Sequence, residues 1–320
     1  MNHHSHPRRP RLRRLRLLAI AGVAAAAALT TGCSTNAAST GSSDGGNADK
    51  IQVVAAENFW GSLASQLGGS HVAVKNIINS PSADPHDYEP TAADGRAMAG
   101  AKLAIVNGIG YDSWAGKLVS ANPSKDRTVL TVGELVGVKD GGNPHRWYSP
   151  GNVRTVIDRI TADYKKIDPK HASFYGKQHD KVVDTNLKEY FDLVGQIKST
   201  YAGTPVGASE SIFTPLSEAT GLDLKTPESF LDAISEGTDP TAADKQAIDR
   251  QIAGKQIKVY VYNSQNATPD VQAQVKAAKA QGIPVATVTE TLTPAGASFQ
   301  QWQVAQLKAL ISALHQGTGK

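Results

Sequence analysis

From residue 51 onward, short runs of β-branched and other apolar residues alternate with longer stretches in which apolar positions recur every three or four residues. The short runs read as buried strands and the longer ones as helices, a pattern that predicts βα units around a mostly parallel sheet. Strands fall at 51–55, 72–78, 103–107 and 128–132, with helices over 59–67 and 91–101 among them. A second series places strands at 205–208, 257–262 and 283–288, separated by helices over 211–220, 240–253 and 269–281. Between the two series, 152–200 carries no strand signal; it reads as helix to about 166, a break at Asp168 and Pro169, and a second helix from about 172. In that second helix Val182, Val183, Leu187, Tyr190, Phe191, Val194 and Ile197 recur mostly at spacings of three and four, making one apolar stripe. A helix of nearly thirty residues is on the order of 40 Å long, enough to run the length of two lobes. The expected fold is α/β, with two lobes, each a mostly parallel sheet flanked by helices, joined by a long rigid helix.

The first fifty residues follow another pattern. The apolar run 17–29 is too short to span a bilayer comfortably, which excludes a polytopic membrane protein. The net charge of +4 would suggest nucleic-acid binding if it were spread over the fold. Six of the 33 Lys and Arg (Arg8, Arg9, Arg11, Arg13, Arg14 and Arg16) fall before residue 17, and 1–32 contains no acid, so 27 basic residues face 29 acidic ones beyond it, a net of −2. The basic excess thus belongs to a targeting segment, and no nucleic-acid partner is implied.

An arginine-rich start, an apolar stretch and the small residues Thr30, Thr31 and Gly32 make 1–32 a secretory signal peptide ending before Cys33, the only cysteine. Its position resembles the bacterial lipobox, which makes Cys33 the lipid attachment site. The segment 33–49, rich in Ser, Thr, Gly, Ala, Asn and Asp, is then a flexible tether. The remaining domains are an N-terminal lobe over 50–170, a linking helix over 171–200 and a C-terminal lobe over 201–320.

Two histidines have unusual surroundings: His86 in Asp84-Pro85-His86-Asp87-Tyr88-Glu89-Pro90, and His145 in Asn143-Pro144-His145-Arg146-Trp147-Tyr148-Ser149-Pro150. Each follows a proline in a loop after a predicted strand, where open α/β sheets bind ligands. Spacing alone leaves each either a metal ligand or a surface turn residue. The other histidines read as solvated surface: His171 and His179 in the polar part of the long-helix region, His71 in a turn, and His315 in a fraying C-terminus. His3, His4 and His6 leave with the signal peptide. Trp60, Trp114, Trp147 and Trp302 read as core or lobe-interface anchors, and Trp147 lies close enough to His145 to shield it.

DPHDYEPT at 84–91, VNGIGYDSW at 106–114, NPHRWYSP at 143–150 and the order lobe, long helix, lobe resemble the zinc and manganese solute-binding lipoproteins of bacterial ABC importers. The resemblance covers about residues 50–320. It implies one metal ion between the lobes, with ligands at His86 and His145. Ser209-Glu210-Ser211-Ile212-Phe213, followed by Gly221-Leu222, matches the family's third ligand segment at Glu210, and the acid after the last strand places the fourth at Glu290. Outside the family, Glu210 and Glu290 would read as acids favoured by helix dipoles.

Two imidazoles and two carboxylates suit Zn²⁺, Mn²⁺ or Fe²⁺ and, lacking thiolate, disfavour Cu(I). The sequence holds no HExxH, no Walker loop and no GxGxxG after a strand. The chain therefore reads as no enzyme but an extracytoplasmic, lipid-anchored monomer. The resemblance implies that it binds one Zn or Mn ion as transported ligand and delivers it to an ABC permease. The alternatives are a metal-stabilised surface adhesin and a metal-dependent hydrolase.

Overall fold

A computed structural model describes residues 50–81, 85 and 88–320; the signal peptide, the tether, Cys33 and His86 lie outside the described residues. The first sheet and its cover are built from β1 (Ile51–Glu57), α1 (Asn58–Gly68), β2 (Val72–Ile78), α2 (Ala92–Gly100), β3 (Leu103–Val106), α3 (Ser113–Ala121), β4 (Thr128–Thr131) and α4 (Val132–Val136). Three helices follow without a strand, α5 (Pro150–Ile167), α6 (Ala172–Lys181) and α7 (Lys188–Tyr201). The second sheet comes from β5 (Pro205–Ala208), α8 (Thr214–Thr220), β6 (Asp223–Leu224), α9 (Glu228–Ser235), α10 (Ala242–Ala253), β7 (Val259–Asn263), α11 (Pro269–Ala280), β8 (Val285–Val288) and α12 (Phe299–Thr318).

Both sheets are parallel throughout, with strand orders β2-β1-β3-β4 and β6-β5-β7-β8. The same order occurs twice although the sequence shows no fixed-period repeat, so the repetition is topological. Strand β6 gave no sequence signal because it pairs through two residues only, Asp223 and Leu224.

The central strands β1, β3, β5 and β7 are buried almost throughout because helices cover both faces. Val53 and Ala55 face α1 and α5, while Val54 and Ala56 face Met98 of α2 and Trp114 of α3. The first of these cores continues without a break into the second lobe, taking in Tyr190, Ile197, Val206, Val259 and Trp302. The outer face of the second sheet packs separately, through Ile248, Ile252, Tyr260 and Val271.

The expected single linking α-helix is interrupted. Val182–Asn186 forms a π-helical turn in which the Leu187 N–H donates to Val182 O at 2.9 Å. The reason lies in the five-residue gap between those two apolar positions. An α-helix advances 100° per residue, so five residues would leave Val182 and Leu187 about 140° apart. The π turn accommodates one extra residue, and both side chains are buried. The C-terminus also departs from expectation. Ser298 and Gln301 close a capping box at the start of α12, which runs to Thr318 and ends on the left-handed Gly319, so His315 is exposed on an ordered helix.

All four tryptophans are buried. Trp147 stacks on Phe59 with ring centroids 4.0 Å apart and sits edge-on to His145 at 5.2 Å, joining the core to the cleft. Trp147→Ala should destabilise the protein by about 3–5 kcal/mol, seen as a lower denaturant midpoint.

Candidate metal centre

Parallel strands deliver their carboxyl ends to one edge, and ligands collect where the strand order reverses. In these sheets the reversal lies between β1 and β3 and between β5 and β7. Glu57 ends β1, Tyr111 follows β3, Glu210 follows β5, Asn263 ends β7 and Glu290 follows β8. His145 joins them from the loop between α4 and the 3-10 turn Arg146–Tyr148.

His145 is completely buried. Its Nδ1 lies 3.0 Å from Asn143 Oδ1, and that carbonyl oxygen can only accept, so Nδ1 carries the ring proton and Nε2 the lone pair. The His145 backbone N–H donates to the same oxygen, while Asn143 Nδ2 donates to Ser211 O at 2.7 Å, tying the loop to the second lobe. Nε2 is buried with no hydrogen-bond partner among the described residues, 3.6 Å from Glu210 Oε1 and 3.6 Å from Glu290 Oε2. Donors held about 2.0–2.2 Å from one tetrahedral ion stand about 3.3–3.6 Å apart. One atom from each of His145, Glu210 and Glu290 falls within 4.8 Å of the others, so the three residues fit a single small cation.

All four carboxylate oxygens also accept from neutral donors. Asn263 Nδ2 donates to both acids, at 2.6 Å to Glu210 Oε2 and 2.8 Å to Glu290 Oε1. Ser235 Oγ donates to Glu210 Oε1 at 3.2 Å, and Tyr111 Oη to Glu290 Oε2 at 3.0 Å. Such outer partners orient ligands and keep their donor atoms aimed inward.

Burial sets the protonation of the group. It pushes the His145 imidazole down to about 4, helped by the Arg146 charge and opposed by Glu210 and Asp232, so the ring is neutral at pH 7. Burial, then the Glu290 charge, pushes Glu210 up to about 8. The metal-free carboxyl pair thus retains a proton at neutral pH.

Below the centre, Glu57 and Asp112 form a second buried acid pair. Burial pushes Glu57 well up, reinforced by Asp112. Asp112 accepts the Asn107 and Gly108 backbone N–H groups, both at 2.7 Å, and so shapes the loop that carries Tyr111.

Of the sequence-derived ligand set, the structure brings His145, Glu210 and Glu290 together, and His86 lies outside the described residues. The described neighbours of His86 are anchored: Trp114 Nε1 donates to Pro85 O at 2.8 Å, and Gln265 of the second lobe donates to Pro81 O. Sequence reasoning missed Asn263, which has no local motif. It quoted Asn143 and Tyr111 within motifs without giving either a role. His71 and His171, read as solvated surface, stack their rings on each other at 4.0 Å, with His171 exposed.

Residues 53–313 match the family described as zinc-uptake complex component A, periplasmic. Iron-binding protein YfeA of Yersinia pestis is 30% identical over 154 residues, 44% of this chain and 49% of its own length. The manganese ABC transporter substrate-binding lipoprotein PsaA of Streptococcus mitis is 27% identical over 208 residues, 58% of this chain and 64% of its own length. The chain thus spans between about half and two-thirds of the length of these curated relatives. An Mn-bound periplasmic metal binding protein from Candidatus Liberibacter asiaticus superposes with a TM-score of 0.67 at 18% identity, covering 82% of this chain and 98% of that one. The laminin-binding adhesin Lmb from Streptococcus agalactiae gives 0.68 at 19%, covering 82% and 99%. At such identities these structures establish the shared two-lobed fold.

Proposed function

The chain belongs to the zinc-uptake complex component A periplasmic family, and from that membership we propose that it is the extracytoplasmic solute-binding receptor of an ABC importer. It captures one divalent transition-metal ion, zinc or manganese, between its lobes and hands it to a membrane permease. The observation that carries this reading is the His145 Nε2 lone pair, buried without a hydrogen bond among the described residues and facing two carboxylates from the other lobe. The lobes are 50–170 and 201–320, with 171–200 linking them, and the receptor works as a monomer.

The ligand set in this proposal is His86, His145, Glu210 and Glu290, two nitrogen and two oxygen donors. The metal is cargo, and its exchange is ligand substitution without a chemical step. Oxygen-rich coordination accommodates Mn²⁺, while the Irving–Williams order makes Zn²⁺ the tighter ligand in vitro. Anchoring is by lipid on Cys33. No helix among the described residues is long and apolar enough to cross a membrane.

Two measurements test the reading. Calorimetric titration should give one zinc or manganese ion per interlobe centre, bound reversibly. Cells lacking the chain should take up labelled zinc poorly from chelator-limited medium until the wild-type chain is restored; uptake that does not depend on the chain would overturn the receptor role. For the anchor, Cys33→Ala should move the protein from the membrane fraction to the soluble one, and unchanged fractionation would contradict lipid attachment there.

A further inference from the structure

The edge of the first sheet opposite the interlobe centre carries another set of ligand-type side chains. Strands β1 to β4 are parallel, so their amino ends lie about one strand length, roughly 20 Å, from the carboxyl ends that hold His145 and its partners. There His71, the last residue of a 3-10 turn before β2, meets the Asp168-Pro169-Lys170-His171 corner between α5 and α6. The His71 and His171 rings stack with centroids 4.0 Å apart and 29° between their planes. Asp168 Oδ2 lies 2.7 Å from His171 Nδ1 and accepts the Tyr175 hydroxyl at 2.8 Å. Phe174 packs edge-on to His71 at 4.6 Å, walling one side.

One donor atom from each of His71, Asp168 and His171 lies within 4.8 Å of the other two. That spread approaches the separation of ligands around one small divalent ion and closes with small side-chain rotations. Pro169 sets the corner that turns Asp168 and His171 toward a turn nearly a hundred residues earlier in the chain.

We propose that His71, Asp168 and His171 form a second, surface Zn²⁺ site, separate from the interlobe centre, with the remaining coordination positions open to water. Two imidazole nitrogens and one carboxylate oxygen suit a borderline cation and discriminate against hard ions such as Ca²⁺ and Mg²⁺. Binding exchanges the His171–Asp168 hydrogen bond for bonds to the ion and staples the turn before β2 to the α5–α6 corner. Lys50, Lys102, Lys125 and Lys166 line the same depression, with Asp126. Their field lowers the affinity for a cation, so this site fills after the interlobe centre.

The test uses the full chain, stripped with chelator, with His3, His4 and His6 replaced by alanine in every variant so that leader imidazoles do not bind the probe. Zinc alone is titrated, and bound metal is counted by equilibrium dialysis. The parent should bind two Zn²⁺ with affinities at least tenfold apart. His71→Ala/His171→Ala should lose the weaker ion and keep the tighter one, and His145→Ala should do the reverse. Asp168→Asn should weaken the second ion at least tenfold. Imidazole NMR should show the His71 and His171 resonances moving with the second equivalent in the parent and with the first in His145→Ala. A second ion that survives His71→Ala/His171→Ala, or a single ion in the parent that is lost with His145→Ala, would overturn the proposal. A tighter ion that survives His145→Ala, with the weaker ion still lost in His71→Ala/His171→Ala, would support the surface site and count against the interlobe ligand set.

Discussion

His145→Ala should abolish tight metal binding. Even outer partners of a metal ligand cost 10–100-fold in affinity when removed, so loss of this imidazole should cost about 100-fold or more. The effect appears as stability, because metal bound only by the folded state stabilises it by about 2.7 kcal/mol at a hundredfold excess over the dissociation constant. For a domain of this size that is roughly 5 °C of melting temperature. A hundredfold weaker site at the same zinc concentration retains only about 0.4 kcal/mol, and the rise nearly vanishes. The variant should still fold, since His145 is neutral at pH 7 and its removal leaves no unpaired cation in the core. His179→Ala is the control: that ring sits at the surface on Asp158 and Asp180, 2.8 and 3.1 Å away. Equal losses in both variants would refute the assignment of His145 as ligand.

Metal binding should release about one proton per ion near pH 7 and weaken in acid. The proton comes from the Glu210–Glu290 pair, since burial and mutual charge hold Glu210 up at about 8 while His145, down at about 4, has none to give. Below pH 8 the ion must displace that proton, so affinity should fall about tenfold per pH unit, or about 1.4 kcal/mol. The stability of the metal-free protein runs the other way. Its folded-state carboxyl titrates above the ordinary value of 4.5, so between about 4.5 and 8 the folded form holds a proton that the unfolded form has lost. Stability from this group is present in full below 4.5 and is lost as pH rises through 8. The zinc-induced melting shift should therefore widen from pH 5 to 8. Calorimetry in two buffers of different ionisation heat reads the proton directly. Glu210→Gln should release markedly less, and unchanged release would place the proton elsewhere.

Much of this protein was legible along the chain. Helices on both faces make the central strands continuously apolar, and that pattern is local, so 205–208 coincides with β5. The π turn before Leu187 was not legible, since Val183 stands four residues before it and keeps the helical spacing. Only packing decides that Val182, and not Val183, must share the core with Leu187.

At the site, the proline-flanked His145 carried a local signal, and family resemblance supplied Glu210 and Glu290. Asn263, bridging both carboxylates, carried none: an asparagine after an apolar strand is ordinary, and only the placement of β7 beside β5 aims its amide at two acids. The stack of His71 on His171 was hidden for the same reason, since two turns a hundred residues apart meet only when α5 and α6 pack on the first lobe.

The sequence by itself determined the element types, the two-lobed α/β plan and the residues with unusual local surroundings, because periodicity and proline act over a few neighbouring residues. The tertiary structure alone decided which polar groups share a buried volume and which of them keep a proton. Burial and the Coulomb field depend on atoms brought together from distant parts of the chain, and no local pattern encodes that distance.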